Sequence, residues 1–172
     1  ASPVALAVAS SSGDRRGWVD LRSPDLRAAV VASLSGWFAD PAREIIGCDL
    51  KELLRLAPAA GEVCVARLFD LMLVSYLTKA SVHGHSLEEI ALERTGSKLR
   101  SAKEAGFDKG VEPAVGDERI GAWAAERLAL VERFAPVLRQ ELGAGALAEL
   151  YSRIEAPLMP VPRNSAINGR CV

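Results

Sequence analysis

Residues Asp70–Gly96 read DLMLVSYLTKASVHGHSLEEIALERTG. Leu71–Thr78 is an apolar run of helical length and follows directly on the acid Asp70. A polar stretch comes next, and then Ser86 with Glu89 three residues later, the capping box that opens a helix. Gly96 ends that second helix, because glycine takes the left-handed conformation that closes a helical turn. The stretch therefore predicts two helices joined by a polar loop.

Working upstream, Glu62–Phe69 is rich in β-branched residues and reads as a strand running straight into the first helix. Arg43–Cys48 reads as another strand, after which Asp49 can cap a helix over Leu50–Leu56. At the start of the chain, Val4–Ala9 and Arg16–Leu21 flank the turn signal Ser10-Ser11-Ser12-Gly13-Asp14 and predict a β-hairpin. Ser23 and Pro24 open a helix whose stripe is Leu26, Val30, Leu34 and Trp37/Phe38.

Downstream, Ser97–Gly116 is polar, has no period and reads as a mobile loop. Asp117 opens a long helix to about Leu142, with a stripe of Ile120, Trp123, Arg127, Leu130/Val131, Phe134 and Leu138 and a kink expected at Pro136. Gly143-Ala144-Gly145 breaks it. A last helix, Ala146–Leu158, places Leu147, Leu150/Tyr151, Ile154 and Leu158 on one side. Strands first, then alternation, then helices alone predict an α/β domain.

The 172 residues suit one domain with a real core. A net charge of −1 gives no overall basic field to attract nucleic acid, which counts against strong DNA binding by this chain alone. Cys48, Cys64 and Cys171 form no CxxC pair and are odd in number, so a disulfide framework or zinc site is not expected and a reducing cytoplasm fits. Pro3–Ala9 is apolar but short, with no basic residue before it, and reads as a strand rather than a signal peptide. No run reaches the ~20 apolar residues of a membrane helix. The absence of an initial Met and the polar ending NSAINGRCV read as an excised piece of a longer protein.

Three blocks carry a resemblance. Gly47–Leu54 reads GCDLKELL, a strand end followed by a helix start; the second block is Phe69–Gly96; the third is Trp123–Arg127, WAAER. Beyond them, Ile154–Val161 (IEAPLMPV) is followed by Ile167-Asn168-Gly169. In order and spacing these resemble the proofreading 3′–5′ exonuclease domain of family A DNA polymerases, the DNA polymerase I type. The third block resembles that family's Tyr-Ala-Ala-Glu-Asp helix, and the last looks like the junction where the polymerase thumb begins. Before Arg43 only the strand–strand–helix order matches.

The resemblance implies a ribonuclease H-like exonuclease fold, a small mixed sheet flanked by helices, over residues 1–158. Residues 159–172 would begin the linker and thumb junction to a polymerase module absent from this chain. That module is the implied partner, with DNA met weakly or indirectly. The family places four acids around two divalent metals, which are hard cations needing carboxylate oxygens. Two of the acids lie in a DxE motif on the first strand, one lies a turn into the helix after Asp49, and one lies four residues after the late-helix Tyr. Here the third position is Leu53, which cannot ligate Mg²⁺. The fourth is Arg127, a permanent cation. The Tyr position is Trp123, whose indole only donates. No DxE occurs near the N-terminus; either that strand lies outside this piece or it has degenerated. The expectation is a vestigial exonuclease domain, without cofactor or metal, that scaffolds a polymerase in DNA replication and repair. Two rivals stand beside it. One is an active two-metal exonuclease that takes Mg²⁺ or Mn²⁺ and acts on single-stranded DNA ends. The other is a non-enzymatic module that binds DNA or protein.

The remaining candidates have plainer readings. Asp49 and Asp70 near strand ends read as a helix cap and a strand-to-helix turn rather than a relocated metal site. His83 and His85 flank Gly84 in a loop with no further ligand nearby in sequence. Ser75 and Cys64 have no His or acid at nucleophile spacing. Lys98, Arg100, Lys103 and Lys109 are diluted by Glu104, Asp108 and Glu112 and read as a solvated loop. Trp123, Phe134 and Tyr151 read as core rather than base-stacking platforms.

Overall fold

The computed structural model describes residues 5–10, 12–56, 63–81, 84–106 and 113–160. The hairpin forms as the turn signal predicts. β1 (Ala5–Ala9) pairs antiparallel with β2 (Arg16–Asp20), Ala7 opposite Trp18. α1 (Pro24–Ala39) follows. Ser23 stands at its N-cap position but makes no capping side-chain bond, so proline at the first position is the operative start signal. Leu34 and Phe38 of the expected stripe are buried, whereas Leu26 is 48% exposed because the first turn overhangs the core.

The second pair is β3 (Ile45–Gly47) and β4 (Leu68–Asp70), parallel, with Ile46 opposite Phe69. The described residues thus form two two-stranded sheets rather than the one mixed sheet expected. β4 is shorter than Glu62–Phe69 predicts. The Cys64 amide bonds the Phe38 carbonyl at the end of α1, and Val65–Arg67 is a 3₁₀ turn closed by Arg67 N–H on the Cys64 carbonyl. Local bonding to α1 takes the amides a longer ladder would have used.

α2 (Leu50–Leu56) and α3 (Leu71–Thr78) match their sequence ranges. α4 (Leu87–Thr95) carries both halves of the Ser86/Glu89 capping box and ends at Gly96, φ 68°. α5 (Glu118–Leu142) runs through Pro136 as one helix and packs on β1, β2, β3, α3 and α4. Its Ile120, Phe134 and Leu138 are buried, as periodicity predicts. At Gly121 the backbone lies against the Trp18 indole so closely that a Cβ would collide with the ring.

The last helical run departs from expectation. α6 (Ala146–Leu150) passes through a π-helical turn at Tyr151–Glu155 into α7 (Ala156–Leu158). A π turn spreads more residues over each revolution, so side chains beyond it rotate relative to an unbroken α-helix. Tyr151, Ala156 and Met159 face the core, while Leu147, Leu150, Ile154 and Leu158 stand 36–51% exposed. The stripe read from the sequence therefore holds only at Tyr151. Of the proposed junction 159–172, the residues after Pro160 lie outside the described ones. No described helix is long and apolar enough to cross a membrane.

Candidate functional site

The resemblance points to the edge where β3 and β4 end. Gly47, Cys48 and Asp49 leave β3 there, Asp49 in the left-handed region at φ 57°, which aspartate tolerates better than most residues. Asp70 leaves β4 beside them, its side chain 2% exposed or less. Its carboxylate accepts the amides of Asp49 (3.2 Å) and Leu50 (2.7 Å) at the start of α2 and of Met72 (2.8 Å) at the start of α3. One buried acid therefore caps two helices, its own and one twenty residues upstream. This refines the sequence reading: the amides opening α2 are held by Asp70, beyond anything local capping at Asp49 implies. Both carboxylate oxygens are committed to N–H donors. Burial raises the Asp70 pKa from its ordinary 3.8 to about 6, with the amides of Leu50, Met72 and Asp49 pulling the other way.

Behind Asp70 stands Tyr151. Its hydroxyl accepts the Asp70 amide at 2.8 Å and donates to the Leu68 carbonyl at 2.9 Å. The phenol thus takes the place of a neighbouring strand along the outer edge of β4. Burial first, then the Asp70 charge, lifts its pKa to about 12, while the Asp70 amide bond and Arg139 pull it down. Cys48 nearby is pushed far up by burial and by the charges of Asp70, Asp49 and Glu88, so its thiol is not a nucleophile at neutral pH.

Arg127 reaches this edge through Glu88. Its guanidinium lies 3.5 Å from the Trp123 ring centroid and donates to Glu88 Oε1 (2.8 Å) and to the Arg100 carbonyl (3.0 Å). Trp123 Nε1 donates to the same Arg100 carbonyl at 3.1 Å. The two residues at the family's water-orienting and fourth-acid positions thus form one stack that pins residues 97–106 to α5. This corrects the mobile-loop reading of that segment over its described part. Leu99 and Ala105 are buried, and Ser101 and Glu104 form a reciprocal capping turn. Leu53, at the third-acid position, packs against the core from α2. Among the described residues, no three His, Cys, Asp or Glu side chains gather in an arrangement able to hold a metal ion.

One pairing escaped the sequence reading. Ser75 Oγ lies 3.0 Å from His85 Nδ1, and the Tyr76 ring meets the His85 ring edge-on at 5.5 Å. The ten-residue separation matches no nucleophile motif, and only the fold-back of α3 on the start of α4 brings the two together. Ser75 is 2% exposed. The pair fastens the loop before α4 to α3 and leaves the hydroxyl shut away from any substrate. His83, Lys109 and Cys171 lie outside the described residues, and Cys64 is a free, half-buried thiol. Arg100 pairs with Glu126 at 3.2 Å, which reduces the basic character of the loop. Phe134 and Tyr151 are core, and Trp123 is half-buried beneath Arg127.

At the opposite end, Asp20 takes Arg22 Nε (2.9 Å) and the Gly116 amide (2.9 Å), while Arg22 donates to the Pro113 and Ala114 carbonyls (2.6 and 2.9 Å). The clamp ties the chain entering α5 to the hairpin. The Arg22 guanidinium holds the Asp20 carboxyl well below the usual range against the opposing effect of burial. A groove of about 200 Å³ between the hairpin and α5 is lined by Ala7, Gly17, Trp18 and Ala125 and crossed by the Arg16–Glu132 ion pair at 3.0 Å. Comparison with protein-family models, with curated proteins and with solved structures yields no match at a significant level.

Proposed function

We propose that this chain is a vestigial proofreading-exonuclease domain, a ribonuclease H-like scaffold for the polymerase module of a DNA polymerase I-type parent. It would serve DNA replication and repair without nuclease chemistry of its own. The observation that supports this reading best is the state of Arg127. The family pattern asks for a carboxylate at that position. This chain has a guanidinium whose face is covered by Trp123 and whose N–H groups are bonded to Glu88 and the Arg100 carbonyl. A cation so held opposes divalent-metal binding nearby by direct repulsion. The commitment of Asp70 to three amides points the same way, since its oxygens serve two helix starts.

The test is digestion of 5′-labelled single-stranded DNA by the purified chain in Mg²⁺ and in Mn²⁺. The expected result is no 3′ shortening above a chelator control. Metal-dependent trimming by the chain would overturn the reading in favour of an active exonuclease.

A further inference from the structure

The two sheets differ in how their edges are protected. The outer edge of β2 carries Arg16 and Asp20, charges of the kind that discourage strand addition. The outer edge of β4 is closed by the Tyr151 hydroxyl, which bonds Leu68 C=O and Asp70 N–H. The other two edges have no such protection. β1 reads ALAVA and β3 reads IIG, with neither charge nor proline in either. Backbone groups alternate along a strand. With Leu68 and Asp70 turned to Tyr151, Phe69 bonds β3, and Ile46 opposite it presents its N–H and C=O away from β4. Among the described residues no third strand meets them.

Both unprotected strands lie over the same support. α5 packs on β1 and on β3, and Leu6 of β1 and Ile45 of β3 pack against the same core. Two-stranded sheets are marginal alone, and parallel pairs belong in covered, multi-stranded sheets. We propose that the space between β1 and β3 is a strand slot. One extended segment, apolar on alternate residues, enters it and joins the two pairs into a single five-stranded mixed sheet. The three-residue edge of β3 offers too few hydrogen bonds to order a free peptide, so the occupant is covalently tethered to the domain, where high effective concentration offsets that cost.

The test fuses an eight-residue alternating Val/Thr strand to the N-terminus of the whole chain through a ten-residue Gly/Ser linker, which spans about 18 Å. A second fusion carries proline at the centre of the added strand, which cannot complete a ladder. Amide hydrogen exchange at Ile46 and across Ala5–Ala9 is read by NMR in both fusions and in the unfused chain. The expected result is exchange at Ile46 at least tenfold slower in the alternating fusion alone, with a thermal midpoint a few degrees higher. Equal exchange in the two fusions overturns the proposal. So does an Ile46 amide already protected in the unfused chain, because the edge would then be closed.

Discussion

Arg127 lies over the indole of Trp123, 3.5 Å from the ring centroid, and from there bonds Glu88 on α4, 39 residues away in sequence. The stack joins two helices and a loop through one side chain that is 14% exposed. Arg127→Met should cost about 1–2 kcal/mol, since it strands the Arg100 carbonyl and uncovers the indole. Arg127→Lys should recover less than half of that, because an ammonium cannot stack flat and bond two acceptors at once. Urea titration of the three proteins checks both; full recovery by lysine would show that charge alone matters.

Asp70 sets a second expectation. In Asp70→Asn the amide NH₂ must face at least one of the three backbone donors, at a cost of about 1–3 kcal/mol at pH 4. The pH dependence is more telling. The folded-state pKa is raised to about 6, so folding favours the neutral acid. That contribution is fully present below about pH 4 and is lost as pH rises through 6. The wild-type advantage over Asp70→Asn should therefore shrink by about 3 kcal/mol between pH 4 and pH 7. A difference that stays flat over that range refutes the assignment.

Asp20 should act with the opposite sign. Its carboxyl is held low by Arg22, so its contribution exists above pH 4 and is lost on acidification. Asp20→Asn should remove part of the acid sensitivity of the chain, seen as a thermal midpoint that falls less steeply below pH 4 than that of the wild type.

Tyr151→Phe deletes one oxygen and leaves two buried backbone groups of β4 without a partner. A loss of about 2–3 kcal/mol is expected, above that of an ordinary hydrogen-bond deletion. A loss under about 0.5 kcal/mol would mean that water replaces the hydroxyl.

Gly121→Ala pits two effects against each other. Alanine favours the helix by about 1 kcal/mol, but its Cβ runs into the Trp18 ring, and overpacking costs about 1–3 kcal/mol. Sterics should win, making the variant less stable. In a Trp18→Ala background the same change should become stabilising, and absence of that sign reversal in a double-mutant cycle would contradict the close approach.

Features specified by neighbours in sequence were legible beforehand. The Ser86–Glu89 box and Gly96 bound α4 because each acts within four residues, and the stripe of α5 follows from its period. Long-range choices were not. Nothing local says that Asp70 reaches back to Leu50, that Ser75 meets His85, or that Tyr151 substitutes for a strand. The contraction of the fourth strand follows from Cys64 bonding α1, a competition that residue types do not reveal. At the candidate edge, the residue types of Leu53, Trp123 and Arg127 were readable, but the stack that holds Arg127 depends on Glu88, whose place only the folded chain discloses.

The slip in hydrogen bonding at Tyr151–Glu155 has a consequence for how this chain tolerates insertions and deletions. Such a slip is what one surplus residue leaves behind in a helix. Removing Ser152 would restore regular winding and swing everything after it by roughly a third of a revolution. Met159 would then be drawn out toward water and the direction of the departing backbone redrawn. A change of one codon could thus re-aim the exit of the polypeptide without touching a single loop.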